Sequence, residues 1–528
     1  GTVVTRSWDF GDGQTASEAA VTHAFAGPDT HTVTLTVGNA GGTTNVSRTF
    51  VVGPAQPKKK SVVLPWIAQT RGVLVQSSDL YLHNPGEADL PVVATFRQRG
   101  TPDSNPPTAA LTIKPHETLF YGDVIKELFN KENIAGFITV VTEGDGPAPI
   151  ITSFNSTRQL DGSKFGQAVS GSTLNTATEA ATLGPKLHHL VGLNANTEKL
   201  AYLGVSNPND APATYKLKFF DNLGRTVGES ENIVLARFGQ QQFQAKALAA
   251  NWGINNLDDY RVEVQAVAGG QLFPYGANVR VQSADPSFVG GAKSNEPLVH
   301  LVGVFGTKGL NNSLWQTDVV LGNSSDQVVL TDVTFRSVGT TPPTYDTVRI
   351  TLQPRETQRI ENVLQSKWGL TNTVGVLIFE SDSPSGVYPT ILAEVYDNAN
   401  PGKRFGQSMT ARPLEAGAGA GHSQHLVGLR QDAEYRATLS VFNPGTDYAL
   451  YDLVYRKLDG SEIQTTANLQ LGPGKSRQVN PGAHPLPAAG LPDGFSVEIK
   501  VKAGKILAGG QVVNNATNDP AFIGGETR

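Results

Sequence analysis

Closely similar phrases recur along this chain about every 120 residues, and that periodicity limits the fold more than any single motif does. An Asn-Pro turn follows an apolar run at Asn84-Pro85-Gly86, Asn207-Pro208-Asn209 and Asn443-Pro444-Gly445, with Asn323-Ser324-Ser325 in the remaining slot. His189-Leu190-Val191-Gly192, His300-Leu301-Val302-Gly303 and His425-Leu426-Val427-Gly428 open the last three copies. Phe165-Gly166-Gln167, Phe288-Val289-Gly290, Phe405-Gly406-Gln407 and Phe522-Ile523-Gly524 close all four. Four homologous units of about 105–120 residues result, each of single-domain size. They alternate in type. The first and third share Thr95-Phe96-Arg97 with Thr334-Phe335-Arg336, whereas the second and fourth share Asp285-Pro286-Ser287-Phe288 with Asp519-Pro520-Ala521-Phe522. A two-repeat unit has been duplicated.

Within the repeats the apolar period is two. Tyr215, Leu217 and Phe219 alternate with lysines, and Phe495, Val497, Ile499 and Val501 alternate with polar residues. This is the pattern of half-buried strands, and the frequent Asn, Gly, Pro and Asp clusters between them suit antiparallel sandwiches. The fold class expected is all-β, a tandem array of immunoglobulin-like β-sandwiches. The boundaries are 61–172, 187–293, 294–412 and 423–528, after a separate N-terminal module at 1–53. Short helical stretches are expected at 123–129, 361–368 and around 247–252, while Pro481, Pro485 and Pro487 argue against one in the fourth repeat. The Gly/Ala run 416–421 reads either as a hinge or as an ordered strap.

The N-terminal module carries three ordered motifs. Trp8-Asp9-Phe10-Gly11-Asp12-Gly13 is followed by His23-Ala24-Phe25 and then by His31-Thr32-Val33-Thr34-Leu35-Thr36-Val37. In order and spacing they resemble the PKD (polycystic-kidney-disease-type) domain family, which implies an immunoglobulin-like sandwich. Trp8 and Phe10 are expected to point into a core while Gly11-Asp12-Gly13 makes the tight turn. Members of that family carry further strands ahead of the Trp, whereas only residues 1–7 precede it here. Residue 1 is Gly and the only Met is Met409, so the sequence reads as a processed chain or a fragment. The expectation is that a strand from elsewhere, such as segment 173–185 or a neighbouring copy, completes the module. The four repeats resemble tandem immunoglobulin-like repeats of large secreted or surface proteins of bacteria, which implies an extracellular, non-catalytic role.

Composition removes several function classes. With no cysteine there are no disulfides, thiolate nucleophiles or zinc fingers. A net charge of -5 argues against a nucleic-acid partner, and no apolar run approaches the ~20 residues that span a bilayer. No cofactor is expected. The ten histidines show no metal-binding spacing, and His189, His300 and His425 read as hydrogen-bonding groups at domain junctions. Gly472-Pro473-Gly474-Lys475-Ser476 resembles the end of a phosphate loop but lacks its first glycine and its strand–loop–helix setting, so it reads as a turn. Carboxylates at Asp258-Asp259 and at Glu394 with Asp397 read as solvated strand ends. Asp9 and Asp12 are the calcium candidates, with hydrogen bonding to their own turn as the alternative. Trp66, Trp252, Trp315 and Trp368 are the candidates for sugar stacking but form no regular ladder, and Trp252 and Trp368, in equivalent helical segments, read as core residues. Asn45, Asn155, Asn311, Asn323 and Asn515 begin glycosylation sequons.

Trp8, Phe10, Gly11, Asp12 and Gly13, with the recurrent Asn84, Asn207, Asn323 and Asn443, are thus read as structural motif residues, with no catalytic set. The function expected is a non-catalytic structural protein of the cell surface or extracellular space, a filament or stalk subunit. Beads of roughly 25–40 Å each would lie in a line and self-associate with neighbouring copies. The alternative is an accessory region of a secreted hydrolase or adhesin that holds a surface polysaccharide or protein.

Overall fold

A computed structural model describes residues 3–26, 29–52, 59–71, 75–100, 104–159, 162–174, 187–253, 257–290, 296–339, 345–401, 404–479 and 491–528. It divides into two compact units, Gly1–Lys59 with Glu143–Asp145, and Lys60–Thr142 with Gly146–Arg528.

In the smaller unit the described residues form one antiparallel sheet, in the order Thr15–Ala16, Thr5–Asp9, Asp29–Asn39 and Gly42–Val52. Trp8 pairs with Leu35 across the sheet and Phe10 is buried. Phe10 stacks on His23 at 3.9 Å, His23 meets Phe25 edge-on at 4.8 Å and Phe25 stacks on His31 at 4.1 Å, so Phe10, His23, Phe25 and His31 form one cluster. Segment 175–186, which contains most of the proposed completing strand, lies outside the described residues.

The larger unit holds all four repeats. In the first, the strand Lys59–Arg71 passes between Val75–His83 and Ile134–Glu143, joining the two faces of a sandwich. Leu298–Lys308 does the same in the third repeat. The second and fourth each keep two separate sheets. The alternating residues fill the cores as their period requires: Tyr215, Leu217 and Phe219 are buried, as are Phe495, Val497, Ile499 and Val501. Helices occur at Val124–Glu127, Ala245–Ala250 and Val363–Trp368. Asp123 caps the first through Oδ1, and Gly369, at φ 69°, ends the third. The prolines at 481, 485 and 487 lie outside the described residues. The run 416–421 is an ordered strap: Ala418 pairs with Ile506, and the Ala416 carbonyl accepts from Gln424 Nε2 and Thr527 Oγ1.

Each recurrent asparagine is fully buried at the corner after its strand. Asn84 Nδ2 donates to the carbonyls of Ala88, Ile113 and Lys114, and its Oδ1 accepts from Gly86 N. Asn207, Asn323 and Asn443 make the equivalent bonds, to Ala211, Gln327 and Asp447 among others. The amide side chain satisfies backbone groups that a turn would otherwise leave buried and unpaired.

The repeats are not a line of beads, and here the expectation is corrected. Each one lies side by side with two others, so that the junctions run from first to second, third, fourth and back to first. Pro65 O accepts from Ser206 Oγ and Gln240 Nε2 at the first junction. Val320 and Leu392 join the core of the second repeat across the next. Val302 and Val376 cluster with Phe442 and Leu507 at the third. Tyr81 and Ile150 meet Val427 at the fourth. The pattern recurs after two repeats: Gly100 N donates to Gln240 O, as Gly339 N does to Ser476 O, and Thr118 N donates to Leu458 O, as Thr357 N does to Asn222 O. Apolar residues on the outward faces of the sandwiches drive this closure, because leaving them in water would cost about 25 cal/mol per Å².

Candidate functional site

The four closing phrases meet at the centre of the ring. Strands Lys164–Ser170, Pro286–Gly290, Phe405–Thr410 and Pro520–Gly524 carry them, and the rings of Phe165 and Phe405 stack at 4.7 Å with planes 9° apart. Asp519 Oδ2 accepts from Gly166 N at 2.6 Å, and Asp285 Oδ2 accepts from Gly406 N at 2.9 Å. The other oxygen of each aspartate is buried without a partner. Burial pushes the Asp285 carboxyl up to about 8, and Asp519 is raised by burial and by the nearby Asp285 charge.

Two related pockets flank this centre. One lies between the first and fourth repeats, where Asp79, Phe154, Lys164, Arg430 and Tyr435 converge. Lys164 Nζ lies 3.9 Å from Asp79, and Arg430 covers the Tyr435 ring at 4.0 Å. Burial lifts Asp79 to about 6 in spite of both cations. The aromatic side chains leave a cavity of only about 20 Å³, room for about one water.

The other lies between the second and third repeats, where charge replaces the aromatics. Glu394 occupies the place of Phe154, Lys199 that of Tyr435, Arg280 that of Asn514 and Arg404 that of Lys164. Lys199 Nζ reaches Glu394 at 2.9 Å and Arg280 Nη2 at 2.8 Å. Arg359 bonds Glu394, Asp318 and Asp259, the last through a fork at 2.7–2.9 Å. Burial disfavours an ionised Glu394, yet Lys199, Arg280 and Arg359 override it and hold the carboxyl well below the usual range. Outside this network a cleft of about 400 Å³ opens, lined by Thr197, Glu198, Arg280, Gln282, Ser283, Pro401 and Arg404.

The sequence reading of Glu394 as a solvated strand end is therefore corrected, since it is the hub of a buried network. Its partners come from another repeat, so no local spacing announces them. The one signal was a charge in the all-buried strand Thr390–Asp397. Asp259 likewise is tied to Arg359. In the N-terminal module Asp9 Oδ1 accepts from Gly11 N, while Asp12 accepts from Gln14 N and lies 2.6 Å from His23 Nε2. Among the described residues no group of three or more His, Asp or Glu is placed to hold a metal ion. His189 sits 3.3 Å from Arg261, His300 bonds the Arg412 carbonyl, and His425 faces the His83 ring at 5.4 Å. Trp315 lies in the core of the third repeat, Trp252 and Trp368 pack on their cores, and Trp66 lies over Tyr275 at the first junction. The segment 472–476 is a turn in which Lys475 N donates to Gly472 O. No helix among the described residues is long and apolar enough to cross a membrane.

Comparison with known proteins adds two findings. Residues 1–53 match the family model of the PKD domain, so the N-terminal module is a PKD domain. A stretch of 103 residues is 34% identical to collagenase ColA of Bacillus cereus, covering 18% of this chain and 11% of that protein. The chain thus spans about a tenth of the length of this curated relative.

Proposed function

We propose that the chain is a non-catalytic region of an extracellular protein, in which the PKD domain and the closed four-repeat body serve as binding and spacing modules. The observation that carries this is the ring itself: buried Glu394 is bonded to Lys199, Arg280 and Arg359, buried Asp285 and Asp519 are bonded to backbone N–H groups, and these bonds hold repeats together. The PKD match and the stretch shared with a protein named as a collagenase favour an accessory region of a secreted hydrolase over an isolated domain. Co-sedimentation of the purified chain with insoluble collagen and insoluble polysaccharides, with product release followed in parallel, tests it. Retention on one of them without hydrolysis is expected; hydrolysis would refute the reading.

A fibre or stalk subunit is the second reading. It is favoured by the edge strand Gly42–Val52, whose residues 42–51 are exposed, with Val46 and Val51 bare. Such an edge accepts another strand, and head-to-tail addition between copies yields a filament. Light scattering and negative-stain microscopy decide: a concentration-independent monomer eliminates it.

A further inference from the structure

The cleft between the second and third repeats has features of a ligand site that the ring does not need. Two cations line it, Arg280 and Arg404, against the single carboxylate Glu198, and the buried network of Lys199, Arg359, Asp259, Asp318 and Glu394 lies behind Arg280. Arg404 makes no ion pair and no hydrogen bond among the described residues. Its Nε is buried without a partner, while its guanidinium stacks over Tyr396 at 5.2 Å and faces the cleft. Tyr396 is itself pinned by a hydrogen bond from its hydroxyl to Asp318 Oδ1 at 3.0 Å. The arginine is thus pre-positioned, and a guanidinium with free donors is a natural partner for a carboxylate.

The remaining lining is neutral and hydrogen-bonding. Thr197, Gln282 and Ser283 supply hydroxyl and amide groups, and Glu198 stands exposed at the rim. A volume of about 400 Å³ falls within the ~300–1,000 Å³ of small-molecule sites. The rim carboxylate accepts hydrogen bonds from hydroxyls, several of which a sugar ring carries beside its carboxylate. Pro401 is the one apolar side chain of the lining, which offers little to the side chains of a peptide. At the related junction Lys164 pairs with Asp79 and the cavity is nearly filled, so only one of the two pockets is open.

We propose that this cleft binds a uronate residue of an acidic polysaccharide, with Arg404 and Arg280 holding the sugar carboxylate and Thr197, Gln282, Ser283 and Glu198 taking its hydroxyls. The inference rests on the reading of the chain as a binding region and names the ligand class. The test is calorimetric titration of the full chain with trigalacturonate, its methyl ester, a neutral trisaccharide and triglutamate. Trigalacturonate is expected to bind, with affinity at least ~10-fold lower for the methyl ester and for the Arg404→Gln variant. Arg349→Gln, on the exposed face of the same repeat, leaves affinity unchanged. Gln282→Trp, at an exposed position of the lining, fills the cleft and abolishes binding, while both variants melt as the parent does. Absence of trigalacturonate binding, or binding indifferent to Arg404, overturns the proposal. So does triglutamate binding as tightly with the same dependence on Arg404, which would make the cleft a peptide-carboxylate site. Cleavage of bound trigalacturonate would instead refute the non-catalytic reading while leaving the site in place.

Discussion

At the scale of single residues, the two junction pockets show how one backbone accommodates opposite chemistry. Glu394 is held by three cations, so Glu394→Ala leaves buried positive charge uncompensated and should cost about 3–5 kcal/mol in denaturant unfolding. Replacing Glu394, Lys199 and Arg280 together by the residues of the sister pocket, Phe, Tyr and Asn, while Arg359 stays on Asp259 and Asp318, should recover most of that loss. The corner asparagines are a second such point: Asn443→Ala strands several buried backbone groups and should cost about 2–3 kcal/mol. The pH response is also set by single groups. With Asp285 raised to about 8 and Asp519 raised as well, the folded state keeps protons that the unfolded chain loses near 3.8. Their stabilising contribution is full below that value and is lost as pH rises through about 8. Buried His83, His189 and His425 are lowered by burial, so what they contribute is lost as pH falls below 6.5. Above 6.5 the histidine contribution is complete while the carboxyl contribution is being lost, so the melting temperature should decline toward mildly alkaline pH, less steeply in Asp285→Asn. The corner asparagines were legible because the same residue recurs in the same place. Glu394 was not, because Lys199 and Arg280 lie more than a hundred residues away.

At the scale of elements, the strands followed from period-two alternation, and the helices from apolar spacing between turns. What alternation does not reveal is where a strand must break its own regularity. Each repeated His-Leu-Val-Gly phrase ends at an irregularity in pairing, and Gly192, Gly303 and Gly428 have φ of 71°, 94° and 90°. A β-bulge there turns the strand toward the neighbouring repeat. At Gly428 a Cβ would also come within 2.9 Å of the Tyr81 ring. Gly428→Ala is therefore strained twice over, and a loss of about 1–3 kcal/mol in thermal or chemical unfolding is expected. The glycines were visible as a motif; the need for them is visible only once Tyr81 is seen across the junction.

At the scale of the whole molecule, the repeats belong to one body. Independent beads would unfold in separate steps, whereas a ring in which every repeat shares core residues with two neighbours loses all its junctions together. Calorimetry of residues 60–528 should show one dominant transition, and deletion of any one repeat should broaden and lower it. Sequence periodicity gave the number of repeats but said nothing of their closure, because Phe165 and Phe405 belong to identical phrases that each look complete alone. Closure also decides how the chain answers a mechanical load. A pull between residues 61 and 528 loads the contact of the first and fourth repeats, Tyr81 against Val427 and Thr118 to Leu458, together with the end-strand pairs of Ser61 with Leu174 and of Glu526 with His425. That contact is a latch across nearly the full contour of the repeats. Opening it would turn the closed ring into an open arc still held by the three other junctions.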